Sequence, residues 1–374
     1  MRILVVIGTR PEAIKLAPLV QELAGIPGVA VKICLTGQHR ELLEQGLADF
    51  GIEAHHNLDI MSDNQSINQV SARLLAGMGE VFAAERPDWV VVQGDTTTAM
   101  ATALAGFQHR LPVAHVEAGL RTGDLSRPWP EEMNRRLIGQ LASIHFAPTE
   151  GARANLIAEG VPGHAVHVCG NTVIDALVMA CRRLDAAPKA DYSASGLLAR
   201  LDERRPMLLV TLHRRENLNP ESLKNVEAAL IRIVDELGCP VVLPYHLNPA
   251  MGDTIARLRD HHPDLVLVSP MSYLPFVALM RRATAILTDS GGIQEEAAYL
   301  GKPVLIMRER TERPEVLSDG FGSLVGTDPD AIVEAARHAL ALRGGDGRGS
   351  ASFGDGTAAR RIAFHLLNGI RGRP

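Results

Sequence analysis

Short apolar runs rich in β-branched residues recur along this chain, each followed by an amphipathic stretch, and midway the whole pattern begins again. In the first half the runs are ILVVIG (3–8), VKICLTG (31–37), WVVVQGD (89–95), PVAHVEA (112–118) and SIHFAPT (143–149). Helical periodicity fills the intervals, most clearly at 11–24, 65–85, 97–109 and 132–142. The second half repeats the alternation with MLLVTLH (207–213), PVVLPYH (240–246), LVLVSP (265–270), AILTDS (285–290) and PVLIMR (303–308). Alternating strand and helix signals predict parallel sheets built from βαβ units. Runs without a polar face predict strands covered by helices on both sides. The expected architecture is therefore α/β, with two Rossmann-like domains and a cleft between them, and with ligands at the carboxyl ends of the strands.

A chain of 374 residues exceeds one ordinary domain and suits two of about 150 to 200 residues. The expected division is 1–170 and 171–356, with a final helix at 357–374 returning to complete the first domain. The polar stretch 185–206 reads as a surface insertion, because GNTVIDAL just before it already has the pattern of a helix start. A second loose segment, 343–356, precedes the last amphipathic stretch.

A net charge of −5 argues against a broad nucleic-acid-binding face. Cys34, Cys169, Cys181 and Cys239 are scattered without a CxxC pair, which points to reduced thiols. His55–His56 and His261–His262 lack metal-ligand spacing, so no metal is expected. The opening ILVVIG is too short to span a membrane and has no small-residue cleavage site after it, so a cytoplasmic location is expected.

Polar residues capable of chemistry gather where the apolar runs end. GTRPEAIK follows the first run, with Gly8 permitting a tight turn and Pro11 suited to the first helical position. Arg10 and Lys15 can then face an anion near a helix N-terminus, or simply be solvated on an ordinary turn. The loop has no GxGxxG pattern, which disfavours a nicotinamide or flavin dinucleotide. LTDSGGIQEEA is more specific: backbone N–H groups of Ser290, Gly291 and Gly292 can approach phosphate oxygens ahead of a helix expected from about Ile293. Glu296 would lie one turn into that helix, within reach of ribose hydroxyls. Arg313 in RERTERPE can contact a diphosphate, or sit in an exposed salt-bridged loop.

Asp95 ends an apolar run and is followed by three threonines, so capping the next helix is a serious alternative to chemistry. Glu117 in VAHVEAGL is harder to explain structurally, because an unpaired carboxylate in apolar surroundings is costly. Glu131 and Glu132 follow Pro-Trp-Pro at an expected helix start; one suits the helix dipole and the other an inward-facing position. His213 ends a buried run beside Arg214 and Arg215 and can complete an anion site.

Taken in order, GTRPEAIK, TGQHRELL, GDTTTA, HVEAGLRTGD, PWPEEMNR, HFAPTE, GNTVIDAL, HRREN, PYHLNP, LPF, LTDSGGIQEEA and TERPE closely resemble the bacterial non-hydrolysing UDP-N-acetylglucosamine 2-epimerases. The resemblance implies the GT-B arrangement of two Rossmann-like domains, a homodimer, no cofactor, and interconversion of UDP-GlcNAc with UDP-ManNAc, whose ManNAc donors feed cell-surface polysaccharides. It also implies residue roles. Arg10 and Lys15 match the substrate loop of the first domain, and Asp95, Glu117 and Glu131 match the acidic catalytic candidates. His213, Ser290, Gly291, Gly292, Glu296 and Arg313 match the UDP site of the second domain, with Met271 and Phe276 near the base. Gln38, Glu41, Arg214 and His246 match a regulatory UDP-GlcNAc site found in some members. Three motifs depart from the usual pattern: SPM replaces an acidic-Pro pair, MRERTERPE replaces MRDTTERPE, and QGDTTT replaces HGDTTT.

The chemistry explains why such residues are needed. The C2 proton of the sugar is not next to a carbonyl, so its direct removal leaves a poorly stabilised carbanion. Breaking the C1–O bond to UDP makes elimination to 2-acetamidoglucal feasible, and re-addition from the other face inverts C2. Cations would stabilise the departing diphosphate while carboxylates carry the proton. A glycosyltransferase of the same fold and a hydrolysing epimerase are the competing expectations.

Overall fold

A computed structural model describes all residues except 38–45, 63–64, 187–200, 203, 215–216, 246–250, 343–348 and 370–374. The expected regulatory residues Gln38, Glu41 and His246 lie outside the described residues, as does Arg215. The chain divides into two compact units, Met1–Val178 with Phe353–Pro374 and Met179–Ser352. The division falls at 178 rather than 170 because the helix that starts at Thr172 begins within the first unit.

In the first unit, β1 (Arg2–Ile7), β2 (Ala30–Leu35), β3 (His56–Asn57), β4 (Trp89–Gln93), β5 (Val113–Val116), β6 (Ile144–Ala147) and β7 (Val166–Val168) form one sheet. Their order is β3-β2-β1-β4-β5-β6-β7 and every pairing is parallel. Two apolar layers cover its faces. Ile3, Val5, Val91 and Phe146 pack with the first helix, Arg10–Ala24, and with Ile362 and Leu366 of the C-terminal helix Ala358–Gly369. Leu4, Val6, Val90 and Val92 pack on the other face with Met78 and Ala103 of helices Ile67–Glu85 and Thr97–Gln108. The C-terminal helix is anchored at its start, where the buried Asp175 carboxylate accepts N–H bonds from Ala358 at 3.2 Å and Ala359 at 2.9 Å.

In the second unit, β8 (Leu208–Thr211), β9 (Val241–Pro244), β10 (Leu265–Val268), β11 (Ala285–Thr288), β12 (Val304–Ile306) and β13 (Gly322–Leu324) run parallel in the order β10-β9-β8-β11-β12-β13. Its core joins Leu208, Val210 and Leu287 to Leu230 and Ile233 of helix Pro220–Leu237. The apolar runs thus become strands with both faces buried. Strands β3, β7 and β13 escape the sequence reading because each has only two or three residues and carries no apolar run. All three are edge strands, defined by the neighbour they pair with.

The four cysteines are free thiols. Among the histidine pairs, His56 meets Glu85 at 2.6 Å and His261 meets Asp235 at 3.2 Å. No described helix is long and apolar enough to cross a membrane.

Candidate functional site

In the first unit the acidic residues gather at the carboxyl ends of β4 and β5. Gln93 and Val116 are register partners there, so the two residues that end these strands carry the chain straight into Asp95 and Glu117. Glu117 takes a left-handed backbone, φ 60°, which a residue with a side chain adopts only at a cost of about 1–3 kcal/mol. Its side chain is buried, yet the carboxylate is well supplied with donors. Lys15 Nζ reaches both oxygens at 2.7 Å, Asn171 Nδ2 donates to Oε1 at 2.9 Å, and Gln93 Nε2 donates to Oε2. Lys15 projects from the helix that opens with Arg10, so the GTRPEAIK loop delivers its lysine directly to the strand-end carboxylate. Pairing and hydrogen bonding together make this buried charge tolerable.

Asp95 does not cap the following helix. Thr96 does, its hydroxyl accepting from Ala99 N at 3.0 Å. The Asp95 carboxylate instead meets Arg135 at 2.6 Å, and Asn134 Nδ2 donates to the Asp95 carbonyl at 2.9 Å. Both partners stand on helix Glu131–Leu141, whose first residue is Glu131. Asp95 and the start of that helix are therefore tied together. Glu132 is the inward member of the acidic pair: wholly buried, it accepts from Thr122 N and Gly123 N and binds Arg135 at 2.9 Å. It holds the loop that follows HVEAG, while Glu131 stays half-buried in the first helical turn.

Glu12, in the same GTRPEAIK motif, does not stand out in the sequence and proves central to the loop. Its carboxylate accepts from Gly8 N at 2.9 Å and Thr9 N at 2.6 Å, and Thr96 Oγ1 donates to its other oxygen at 2.7 Å. Burial pushes its pKa up to about 7, against the opposing pull of those hydrogen bonds. Glu12 thereby joins the turn after β1 to the turn after β4. A Thr-Arg-Pro-Glu capping box was the signal for it. Arg10 is half-buried, and burial lowers its pKa while Asp49 opposes the shift. A cavity of about 390 Å³ lies elsewhere in this unit, lined by Trp89, Ile144, His164, His167 and His365, where strands begin rather than end.

In the second unit the helix of the glycine turn starts earlier than Ile293. It runs Gly291–Tyr299 with Ser290 at the N-cap, so the first-turn N–H groups belong to Gly291, Gly292 and Ile293. The Ser290 hydroxyl makes no capping bond to them. The side chain of Arg313 packs onto this turn. It is buried, its guanidinium joined to Glu295 through Nε and to Glu312 through a 2.7 Å bond. The alternative of an exposed loop arginine is thus set aside. A Cβ on Gly291 would stand 2.3 Å from an Arg313 terminal nitrogen, so this glycine serves close packing.

His213 follows β8, with its ring exposed and Nδ1 2.7 Å from the Leu212 carbonyl, which makes Nδ1 the protonated nitrogen. Its backbone N–H, that of Arg214 and the Asn217 amide all donate to Asp289, which is wholly buried. Asp289 thus fixes the His213 turn against the serine-glycine turn; its signal was the acid in LTDSGG. Arg214 reaches Glu312 at 3.4 Å. Glu296 is buried and accepts from the Tyr273 hydroxyl at 2.6 Å. Burial, followed by the charge of Glu296, pushes Tyr273 well above its usual range, so it donates as a neutral phenol. Tyr273 opens helix Tyr273–Arg282, which also carries Phe276; Phe276 and Met271 are both half-buried. Sequence reasoning passed over Tyr273 because a phenol in SYLPF has no distinctive spacing.

A family model described as UDP-N-acetylglucosamine 2-epimerase matches residues 21–367. Similar proteins include the UDP-N-acetylglucosamine 2-epimerase of Yersinia pestis, 47% identical over 373 residues (98% of this chain, 99% of the relative). That of Escherichia coli K12 is 46% identical over 372 residues, again 98% of this chain and 99% of the relative. A crystal structure of UDP-GlcNAc 2-epimerase from Neisseria meningitidis bound to UDP-GlcNAc superposes with a TM-score of 0.92 at 41% identity, covering 98% of this chain and 100% of that one. The Methanocaldococcus jannaschii enzyme in complex with UDP-GlcNAc and UDP gives 0.87 at 33% identity, covering 98% and 99%. A glycosyltransferase, VinC in complex with DTDP, gives 0.52 at 17% identity and shares the GT-B fold alone.

Proposed function

We propose, from the premise that this chain belongs to the UDP-N-acetylglucosamine 2-epimerase family, that it interconverts UDP-GlcNAc and UDP-ManNAc without hydrolysing either. The sugar is assigned to the acidic cluster of the first unit and the UDP to the serine-glycine turn of the second. A carboxylate takes the C2 proton, the C–H electron pair becomes the C1=C2 bond, and the C1–O bond breaks with its electrons leaving on the diphosphate. The products of this half-reaction are 2-acetamidoglucal and UDP. Re-addition runs the same steps backwards, with the proton delivered to the opposite face of C2. Two faces require more than one acid–base group, and Asp95, Glu117 and Glu131 are proposed as that set, each contributing on the order of 10²–10⁴ in rate.

Arg10, Lys15, His213 and Arg313 would stabilise negative charge on the departing UDP, together with the N–H groups that follow Ser290. Glu296, oriented by Tyr273, would accept from ribose hydroxyls, and Phe276 and Met271 would bound the base. Arg214 is proposed for a second UDP-GlcNAc site. The chemistry requires neither a redox cofactor nor a metal. Cytoplasmic action, supplying ManNAc donors for surface polysaccharide, completes the reading. A homodimer is proposed as well. Trp129, Met133 and Leu137 are 62%, 41% and 42% exposed on and beside helix Glu131–Leu141, an apolar face suited to a second copy.

The observation that carries the mechanism is Glu117: a buried carboxylate at a strand end, held in left-handed backbone and gripped by Lys15. Incubation with UDP-GlcNAc in D₂O should place deuterium at C2 and yield UDP-ManNAc. Retention of the C2 hydrogen with transfer to an acceptor would identify a transferase instead, and accumulation of free ManNAc a hydrolysing enzyme. Glu117→Gln should abolish the exchange while leaving UDP affinity within a few-fold of wild type.

A further inference from the structure

We propose that Gln93 is a positioning residue for Glu117, an amide that fixes the orientation of the carboxylate plane with a donor that carries no charge. The inference rests on the assignment of Glu117 to proton transfer. Gln93 is the last residue of β4, sits in register with Val116, and is 3% exposed. Because its partner is a carboxylate, the amide nitrogen is the atom that faces it. The donors around Glu117 divide by role. Lys15 straddles both oxygens and supplies the positive charge, but a flexible four-carbon stem defines the plane of a carboxylate poorly. The two amides supply that plane: Asn171 holds Oε1 and Gln93 holds Oε2. Gln93 ends one strand of the sheet and Glu117 directly follows its neighbour, so the amide's grip acts from a hydrogen-bonded strand and sets where the carboxylate points.

An amide is a particular choice at this position. A histidine in its place would present an imidazole to the same carboxylate, whereas this chain reads QGDTTT. An imidazole can also donate, but it gains a charge at mildly acidic pH and would then set a second cation beside Lys15 on the same carboxylate. The ionisable groups near Glu117 include Lys15 from the first helix, His115 two residues earlier on β5, and Asp95 paired with Arg135 beyond Gly94. Asn171, from the turn before helix Thr172–Ala186, does not titrate. Glutamine at 93 therefore adds no charge beside Lys15 over the working range of pH.

The test compares Gln93→Met, which keeps the volume and removes the donor, with Gln93→His and with Glu117→Gln, each assayed by C2 deuterium exchange and by steady-state kinetics with UDP-GlcNAc across pH 5–9. Gln93→Met should lower kcat by about 10- to 100-fold with KM changed less than about threefold, as expected when a reacting group is misdirected while substrate still binds. Gln93→His should restore much of kcat at high pH and add a new limb to the kcat profile, falling toward acid near about pH 6–7. Wild-type kcat in Gln93→Met, or a defect confined to KM, overturns the proposal. Should Gln93→Met fail to fold, Gln93→His decides alone, and a profile without the added limb overturns it. Wild-type exchange in Glu117→Gln would instead remove the assignment on which the proposal rests, whatever the position 93 variants do.

Discussion

Gly291→Ala tests the claim that the serine-glycine turn and Arg313 form one packed unit. The added methyl carbon would lie 2.3 Å from a terminal nitrogen of Arg313 and 2.7 Å from its guanidinium carbon, against about 3.5 Å or more for ordinary non-bonded contact. A long side chain would normally swing aside at little cost. This one cannot, because its guanidinium is held by Glu295 and Glu312, both fully buried. Forcing a methyl into a filled site costs about 1–3 kcal/mol, and breaking a buried pair outright costs about 3–5 kcal/mol. A partial displacement of Arg313 should therefore total about 2–4 kcal/mol. Urea unfolding followed by far-ultraviolet circular dichroism should show the second unit losing that much. A double-mutant cycle separates the clash from any intrinsic effect of alanine: in an Arg313→Ala background the Gly291→Ala step should cost less than about 0.5 kcal/mol. Additive effects in the cycle, or a Gly291→Ala protein as stable as wild type, would refute the reasoning, since both require room beside the guanidinium.

Tyr273→Phe removes one hydrogen bond to a buried carboxylate, worth about 1.5–3 kcal/mol, so urea unfolding should show the second unit less stable by that amount, and an unchanged unfolding midpoint would count against the contact. Glu12 supplies a pH dependence whose sign follows from its raised pKa. The native state holds its proton up to about pH 7 while the unfolded chain releases it near 4.5, so this contribution is complete below about 4.5 and is lost as pH rises through 7. The amplitude is on the order of 3 kcal/mol. Glu12→Gln should flatten that part of the stability profile of the first unit, and an unaltered slope between pH 4.5 and 7 would count against it.

The alternation of apolar runs with amphipathic stretches was enough to determine two parallel α/β units, because strands buried on both faces carry their signal in the chain itself. Arg10, Asp95, Glu117, Ser290 and Gly291 could be singled out as candidates for a related reason: each lies within three residues of a strand end, where such folds place their ligands, and Lys15 stands in the helix that follows the first strand. Tertiary structure alone decided the partnerships. Thr96 rather than Asp95 caps its helix, freeing Asp95 for Arg135 on a helix much further along the chain. Glu117 draws donors from Lys15, Gln93 and Asn171 on three separate segments, and Asp175 fastens a helix that begins at Ala358. Glu12, Asp289 and Tyr273 look unexceptional in sequence because their importance lies in what burial and packing bring against them. Local pattern carries information about a residue's own element, whereas hydrogen-bond partners across long sequence separations exist only once the sheets have assembled.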